Sequence, residues 1–317
     1  MNKLEAAIAA NVDDTDAYLV YGDWLQGEGD PRGELIALQH ARTPKAKKAE
    51  AELLARHPSL FLLEDVVVEW HLGFWKSVRI VDDTKAVLRK LARHPSAKLL
   101  RHLSFGRTHG RRQVQYEPII KQLVKQRWPH LRGLDFGDFA DEDWQVEWSY
   151  VGNVSPLYKA FPKLERLRLY GNRVELGTVQ HANLRELAIR TDVPVAPVIA
   201  ALVKAKLPKL ERLSLDLGQD DVAMGGLFNG RFPSLEHLAV KWIELSHDDL
   251  VALFTGKTLA KLRTLSLAGS SITDARVELL VEHAARLRHL EHLDLENNLL
   301  SKAGKQRVAK LAKKVRY

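Results

Sequence analysis

The 317 residues predict an α/β solenoid preceded by a small all-α N-terminal domain. Two patterns point to it. An apolar residue at positions 1, 4 and 6 of a short motif recurs from the middle of the chain to its end, and stretches of helical periodicity separate the copies. A third observation sets the limit: residues 1–60 lack the motif.

From the N-terminus, Leu4 to Ala10 reads as a helix, and the run Asp13-Asp14-Thr15-Asp16 is a good start for a second. That helix passes through Tyr18, Val20, Tyr21, Trp24 and Leu25 and is broken by Gly27, Gly29, Asp30 and Pro31. A third, from about Glu34 to Ala41, presents Leu35, Ile36, Leu38 and Gln39. Asp23, Asp30, Arg32 and Glu34 read as turn residues and a buried or half-buried ion pair at the corner between helices, rather than as an acid–base cluster. Residues 61–99 form a transition, with Trp75-Val78-Ile80 as an entry strand.

The repeats occupy residues 100–317. Leu100-Leu103-Phe105 is a loose first copy, followed by Leu131-Leu134-Phe136, Leu164-Leu167-Leu169 and Leu184-Leu187-Ile189. Leu210-Leu213-Leu215, Leu235-Leu238-Val240, Leu262-Leu265-Leu267 and Leu290-Leu293-Leu295 complete the set. Their starts lie 31, 33, 20, 26, 25, 27 and 28 residues apart. Alternation at positions 4 and 6 marks a strand with one face inward. Between strands, Val277, Leu280, Val281, Ala284 and Leu287 line one face of a helix from Thr273 to Leu287, with Thr273 placed to cap it. Strands stack about 4.8 Å apart, whereas packed helices need roughly 8–10 Å. Such a stack bends, with strands on the concave side and helices on the convex side. Lys302 to Tyr317 reads as a closing helix with Val308, Leu311 and Val315 as its apolar stripe.

These motifs resemble the leucine-rich repeat family, particularly its ribonuclease-inhibitor-like branch, over about residues 75–317. The resemblance implies a horseshoe, and an Asn at position 9 whose side chain ties down the loop backbone. Asn172 and Asn298 fit that role and Ser270 is a near substitute; Thr108, Phe139, Asp192, Gly218 and Ile243 fill the other slots. Tyr21-Gly22-Asp23-Trp24-Leu25, the run Gly29 to Glu34, and Phe74 to Ile80 look like the repeat-companion domain found ahead of repeats in bacterial proteins. That resemblance implies architecture and no activity.

Signatures of chemistry are absent. The chain has no cysteine, which excludes disulfides, thiolate metal sites and cysteine nucleophiles. It has no glycine-rich phosphate loop, His-Glu-x-x-His or nucleophile elbow. The pairs Glu236-His237 and Glu291-His292 fall on adjacent strand positions, which face opposite ways and share a metal poorly. Asp138, Asp141, Glu142 and Asp143 lack calcium-loop spacing and read as a solvated loop. No catalytic residue, metal or cofactor is expected. No apolar stretch is long enough to span a bilayer, and the opening residues turn acidic too soon for a secretory signal, so the expected setting is cytoplasmic.

The polar rows of the sheet remain. Positions 3, 5 and 7 should stand side by side on the concave wall, giving Arg166, Arg168, Tyr170, then Glu186 and Arg190, then Arg212 and Asp216, then His237 and Lys241 with Trp242 beyond. The last repeat turns acidic at His292, Asp294 and Glu296. Arginine, tyrosine and tryptophan are enriched where interfaces concentrate their energy. A second candidate is the rim formed by insertions spanning 107–148: Arg107, His109, Arg111 and Arg112, then Asp138 to Glu147 with Trp144 and Trp148. The expected function is a non-enzymatic scaffold or regulator binding a protein on the concave face. The alternative is nucleic-acid binding through the basic surface, since the net charge is +8 and Ser301 to Tyr317 holds seven bases and no acid.

Overall fold

A computed structural model describes residues 3–82, 84–106, 113–138, 149–192, 194–218 and 222–317. It divides into two compact units, one of Met1–Arg111 with Gln122–Leu134 and the other of Arg112–Lys121 with Asp135–Tyr317.

The first unit opens with five helices: α1 (Lys3–Ala10), α2 (Thr15–Gly27), α3 (Pro31–Ala41), α4 (Pro44–Arg56) and α5 (Pro58–Phe61). Short polar side chains start three of them. Asp14 accepts from the N–H groups of Asp16 and Ala17, Asp30 from that of Arg32, and Thr43 from that of Ala46. The α2–α3 crossing is tight because both helices present glycine: a Cβ at Gly33 would sit 2.5 Å from the Gly22 carbonyl oxygen. Ile8, Tyr18, Tyr21, Leu25, Ile36 and Phe74 fill one core cluster, and Leu35, Leu53 and Phe61 a second. Next come β1 (Val66–His71) and β2 (Phe74–Ile80), an antiparallel hairpin, then α6 (Thr84–Leu91) and β3 (His102–Phe105), parallel to β2.

Sequence patterning did not disclose α4, α5 or β1. α4 buries only Ala46 and Leu53 on an otherwise lysine- and glutamate-rich surface, so its apolar stripe is thin. The ion pair expected at Arg32 does not form. The Asp30 carboxylate caps α3 through the backbone N–H of Arg32, at 2.9 Å. The buried guanidinium instead lies 4.9 Å from the Phe74 ring centre and 5.4 Å from that of Phe61, and donates to the Ser96 hydroxyl. Burial lowers its pKa from the usual arginine value.

In the second unit come β4 (Val114–Gln115), α7 (Glu117–Leu123) and β5 (Gly133–Phe136), the unit boundary passing through the last two. They are followed by β6 (Ser149–Asn153), α8 (Ser155–Ala160), β7 (Arg166–Tyr170), β8 (Asn172–Glu175), β9 (Glu186–Thr191) and α9 (Ala196–Val203). The remainder is β10 (Arg212–Leu217), β11 (His237–Lys241), α10 (His247–Thr255), β12 (Thr264–Ser266), α11 (Asp274–Glu282), α12 (Ala284–Leu287), β13 (His292–Asp294), α13 (Lys302–Val308) and β14 (Lys314–Arg316). Strands β7, β9, β10, β11, β12, β13 and β14 pair in that order, all parallel.

The register is set by the repeat itself. Leu167, Leu187, Leu213, Leu238, Leu265 and Leu293 are successive cross-strand partners. Every position-1, -4 and -6 residue from Leu100 to Leu295 is buried, none more than 3% exposed. Burying each such side chain stabilises the fold by about 1.5–3 kcal/mol, and a slip of one residue would turn the whole set outward. These parallel strands with helices between them form the stack expected of an α/β solenoid. The position-9 residues act as expected. Asn298 Nδ2 donates to the carbonyls of Leu267 and Leu295 while its Oδ1 accepts from the Ile272 N–H. Asn172 accepts from the Asp192 N–H, and the Ser270 hydroxyl donates to the Val240 carbonyl.

Other expectations need correction. β4, β6 and β8 form a second, three-stranded parallel sheet that alternation at two or three positions could not announce. The helix expected from Thr273 to Leu287 is two helices meeting at His283, and the Thr273 side chain makes no cap bond. Val281 is exposed and Leu279 is buried instead. The closing segment is α13 followed by β14, which extends the sheet beside β13. Val308 and Leu311 are buried, but Val315 is a strand residue and only half-buried.

Candidate functional site

Three rows of side chains stand on the sheet face opposite the buried leucines of the second unit. Cross-strand pairing aligns Arg166, Glu186, Arg212, His237, Thr264 and His292 in one row. Arg168, Ala188, Ser214, Ala239, Ser266 and Asp294 form the middle row, and Tyr170, Arg190, Asp216 and Lys241 the third. The alternation of half-exposed and buried residues in β7 and β11 places these rows toward open space.

The middle row makes a trough. Ala188, Ser214, Ala239 and Ser266 are small, so across three strand intervals, about 14 Å, the floor drops between its two larger flanks. The hollow measures about 510 Å³ and is bounded by Arg168, Glu186, Arg212, His237, His292 and Asp294. These small residues are the part of the site that reading for charged and aromatic side chains missed. Their signal was present in the sequence as position 5 of four consecutive motifs.

Most charges on this face are already satisfied within it. Arg166 Nη2 lies 2.6 Å from Asp135 Oδ2, and Arg168 Nη2 lies 2.6 Å from Glu186 Oε1. Arg190 Nε is 3.4 Å from Asp216 Oδ2, and Ser266 donates to Asp294 at 2.8 Å. Burial works against charge on Arg168, but its hydrogen bond to Glu186 prevails and raises its pKa. Burial also raises the pKa of Asp216 against the pull of Arg190 and Lys241, and raises that of the Tyr170 phenol. His237 is 2.9 Å from the Thr264 hydroxyl; burial, with Arg212 nearby, pushes its pKa down. Arg212, Lys241 and, at the end of the first row, Lys314 make no hydrogen bond or ion pair with their side chains among the described residues, so they are cations this face offers.

Trp242 sits one residue past β11 with φ +56° and is 40% exposed. Its indole lies over Gly269 of the next repeat, where a Cβ would come within 2.5 Å of the ring. The expected aromatic anchor is therefore half committed to its own fold. Of the second candidate surface, Arg107, His109, Arg111, Arg112, Trp144, Trp148 and the acidic residues Asp141, Glu142 and Asp143 lie outside the described residues. Among the described residues no cluster of three or more His, Cys, Asp or Glu could hold a metal ion. No helix among them is long and apolar enough to cross a membrane.

No protein-family model and no curated protein matches the chain. Among solved structures, a Bacteroides fragilis protein is similar over 86% of this chain and 82% of its own, at 24% sequence identity and a TM-score of 0.66. That likeness shows a shared fold. Two others superpose too loosely to support an argument. Yeast Rad7, solved with Elc1, is 15% identical over 99% of this chain and 92% of its own, with a TM-score of 0.41. An internalin of Listeria monocytogenes is 13% identical over 75% and 71%, with a TM-score of 0.36.

Proposed function

We propose that the chain is a non-enzymatic, cytoplasmic interaction scaffold that receives a protein partner on the open, concave face of its repeat sheet. The supporting observation is the trough: a floor of small side chains between two polar rows, with Arg168 at one end and Asp294 at the other. A partner laid along it can bury backbone or short side chains on the floor and still find both signs of charge at the walls. Pairing of Arg166, Arg168 and Arg190 with carboxylates favours a mixed-charge partner over a purely acidic one. The same pairing disfavours nucleic acid, because phosphate would compete with those carboxylates for guanidinium groups. Residues 1–60 are read as a repeat-companion domain that covers the N-terminal end of the stack.

The absence of cysteine offers a clean test, since a single Cys gives one attachment point. A photo-crosslinker on Ser214→Cys should trap one protein from extracts of the producing cell. The same reagent on Ala285→Cys, in α12 on the helical side, should trap none. Equal adducts from both positions would remove the trough from the account.

A further inference from the structure

The first unit contains a second hollow, about 530 Å³ in volume, lined by segments from α1, β2 and the stretches 92–100 and 127–130, none of which lines the hollow on the sheet face. We propose that it is a binding site for a small organic anion, a carboxylate carried on an apolar body.

The size fits. Small-molecule sites run from about 300 to 1,000 Å³ and combine apolar walls with a few placed polar groups. Here Ile8, Phe74, Leu99 and Leu100 supply apolar wall, all of them buried elements of the unit's core. The polar groups are almost all donors or cations. Arg93 and Arg127 line the hollow, are exposed, and make no hydrogen bond or ion pair with their side chains among the described residues. The acid among the lining residues, Glu5, is already engaged, 2.9 Å from Lys98 Nζ and 2.8 Å from the Tyr21 hydroxyl. Those contacts hold its pKa low although burial raises it. It therefore stands as a neutralised wall beside two unmatched guanidinium groups.

An independent observation comes from Trp128. It lines the same hollow and is only 9% exposed, so its indole gives the hollow an aromatic wall. A carboxylate supplies two oxygens in one plane, enough for a guanidinium fork, and guanidinium groups suit planar oxyanions. The remaining wall is hydrocarbon and aromatic, so the rest of the ligand must be apolar for its burial to be favourable.

The test uses 2-naphthoate as the probe and titration calorimetry on the full chain. Binding at micromolar to low-millimolar concentration is expected. It should weaken at least tenfold for the neutral 2-naphthamide, and by a similar factor for naphthoate with the double variant Arg93→Gln, Arg127→Gln, whose exposed positions leave folding intact. Ala9→Phe should fill the hollow and abolish binding while circular dichroism stays unchanged. The proposal is overturned if folded protein takes up no naphthoate at about 5 mM, several times a Kd of roughly 1 mM. It is equally overturned if naphthamide binds as tightly as naphthoate, or if Ala9→Phe leaves binding unaltered. None of these outcomes bears on the sheet face, where the crosslinking result stands alone.

Discussion

One side chain, Asn298, joins three stretches of backbone. It accepts from Ile272 N–H and donates to the carbonyls of Leu267 and Leu295, so a loop that lacks ladder partners is anchored to the repeat before it. Asn298→Ala leaves those groups unpaired in a half-buried loop and should cost about 2 kcal/mol. Ser270→Ala, which removes a single bond to Val240, should cost about 1 kcal/mol. Urea unfolding of the two variants gives the ratio; equal losses would mean the asparagine does no more than the serine. Both residues were legible in the sequence because each stands at a fixed offset from the leucines. Arg32 was not. Its neighbours in sequence, Asp23, Asp30 and Glu34, suggested an ion pair, but its partners in space are Phe61, Phe74 and Ser96, which no local spacing connects to it.

Strands with three inward leucines were legible one by one, and their pairing followed because identical motifs stack in identical register. Elements carrying few apolar residues were not. α4 shows a thin stripe, and β8, four residues long, offers only Val174 as a deeply buried apolar residue. The closing segment misled for a different reason: Val308, Leu311 and Val315 satisfy helical spacing, yet the chain leaves the helix after Val308 and lays Lys314–Arg316 beside β13. In that position the basic residues line an exposed strand edge, where lysine discourages pairing with other molecules. Val315→Pro interrupts this strand. Amide hydrogen exchange at Leu293 and Leu295 should then accelerate at least tenfold while exchange at Leu213 stays as it was. Acceleration at all three would show that β14 supports the entire stack rather than its end.

Across the molecule, three half-buried histidines set the response to acid. His71 and His94 in the first unit and His237 in the second all titrate below 6.5, burial being the leading cause in each. Their neutral forms belong to the folded state, while the unfolded chain binds protons near 6.5. Stability is therefore complete above that value and falls as the pH drops from about 6.5 through the lowered folded values. Carboxylates such as Glu5 and Glu69, held low by their lysine partners, add to the loss only below about pH 4.5. A melting temperature that is flat between pH 7 and pH 5 would contradict the histidine assignment. Replacing His237 by Gln should remove part of the slope and leave the value at pH 8 within about 2 °C.

The polar wall of the sheet depends on the small floor being open to a partner. Ser214→Trp combined with Ala239→Trp raises that floor by two indoles without touching a buried leucine. Measured by calorimetry against the protein trapped through position 214, the double variant should bind at least a hundredfold more weakly, with its melting temperature changed by no more than a few degrees. Undiminished affinity in a folded double variant would mean the partner docks elsewhere.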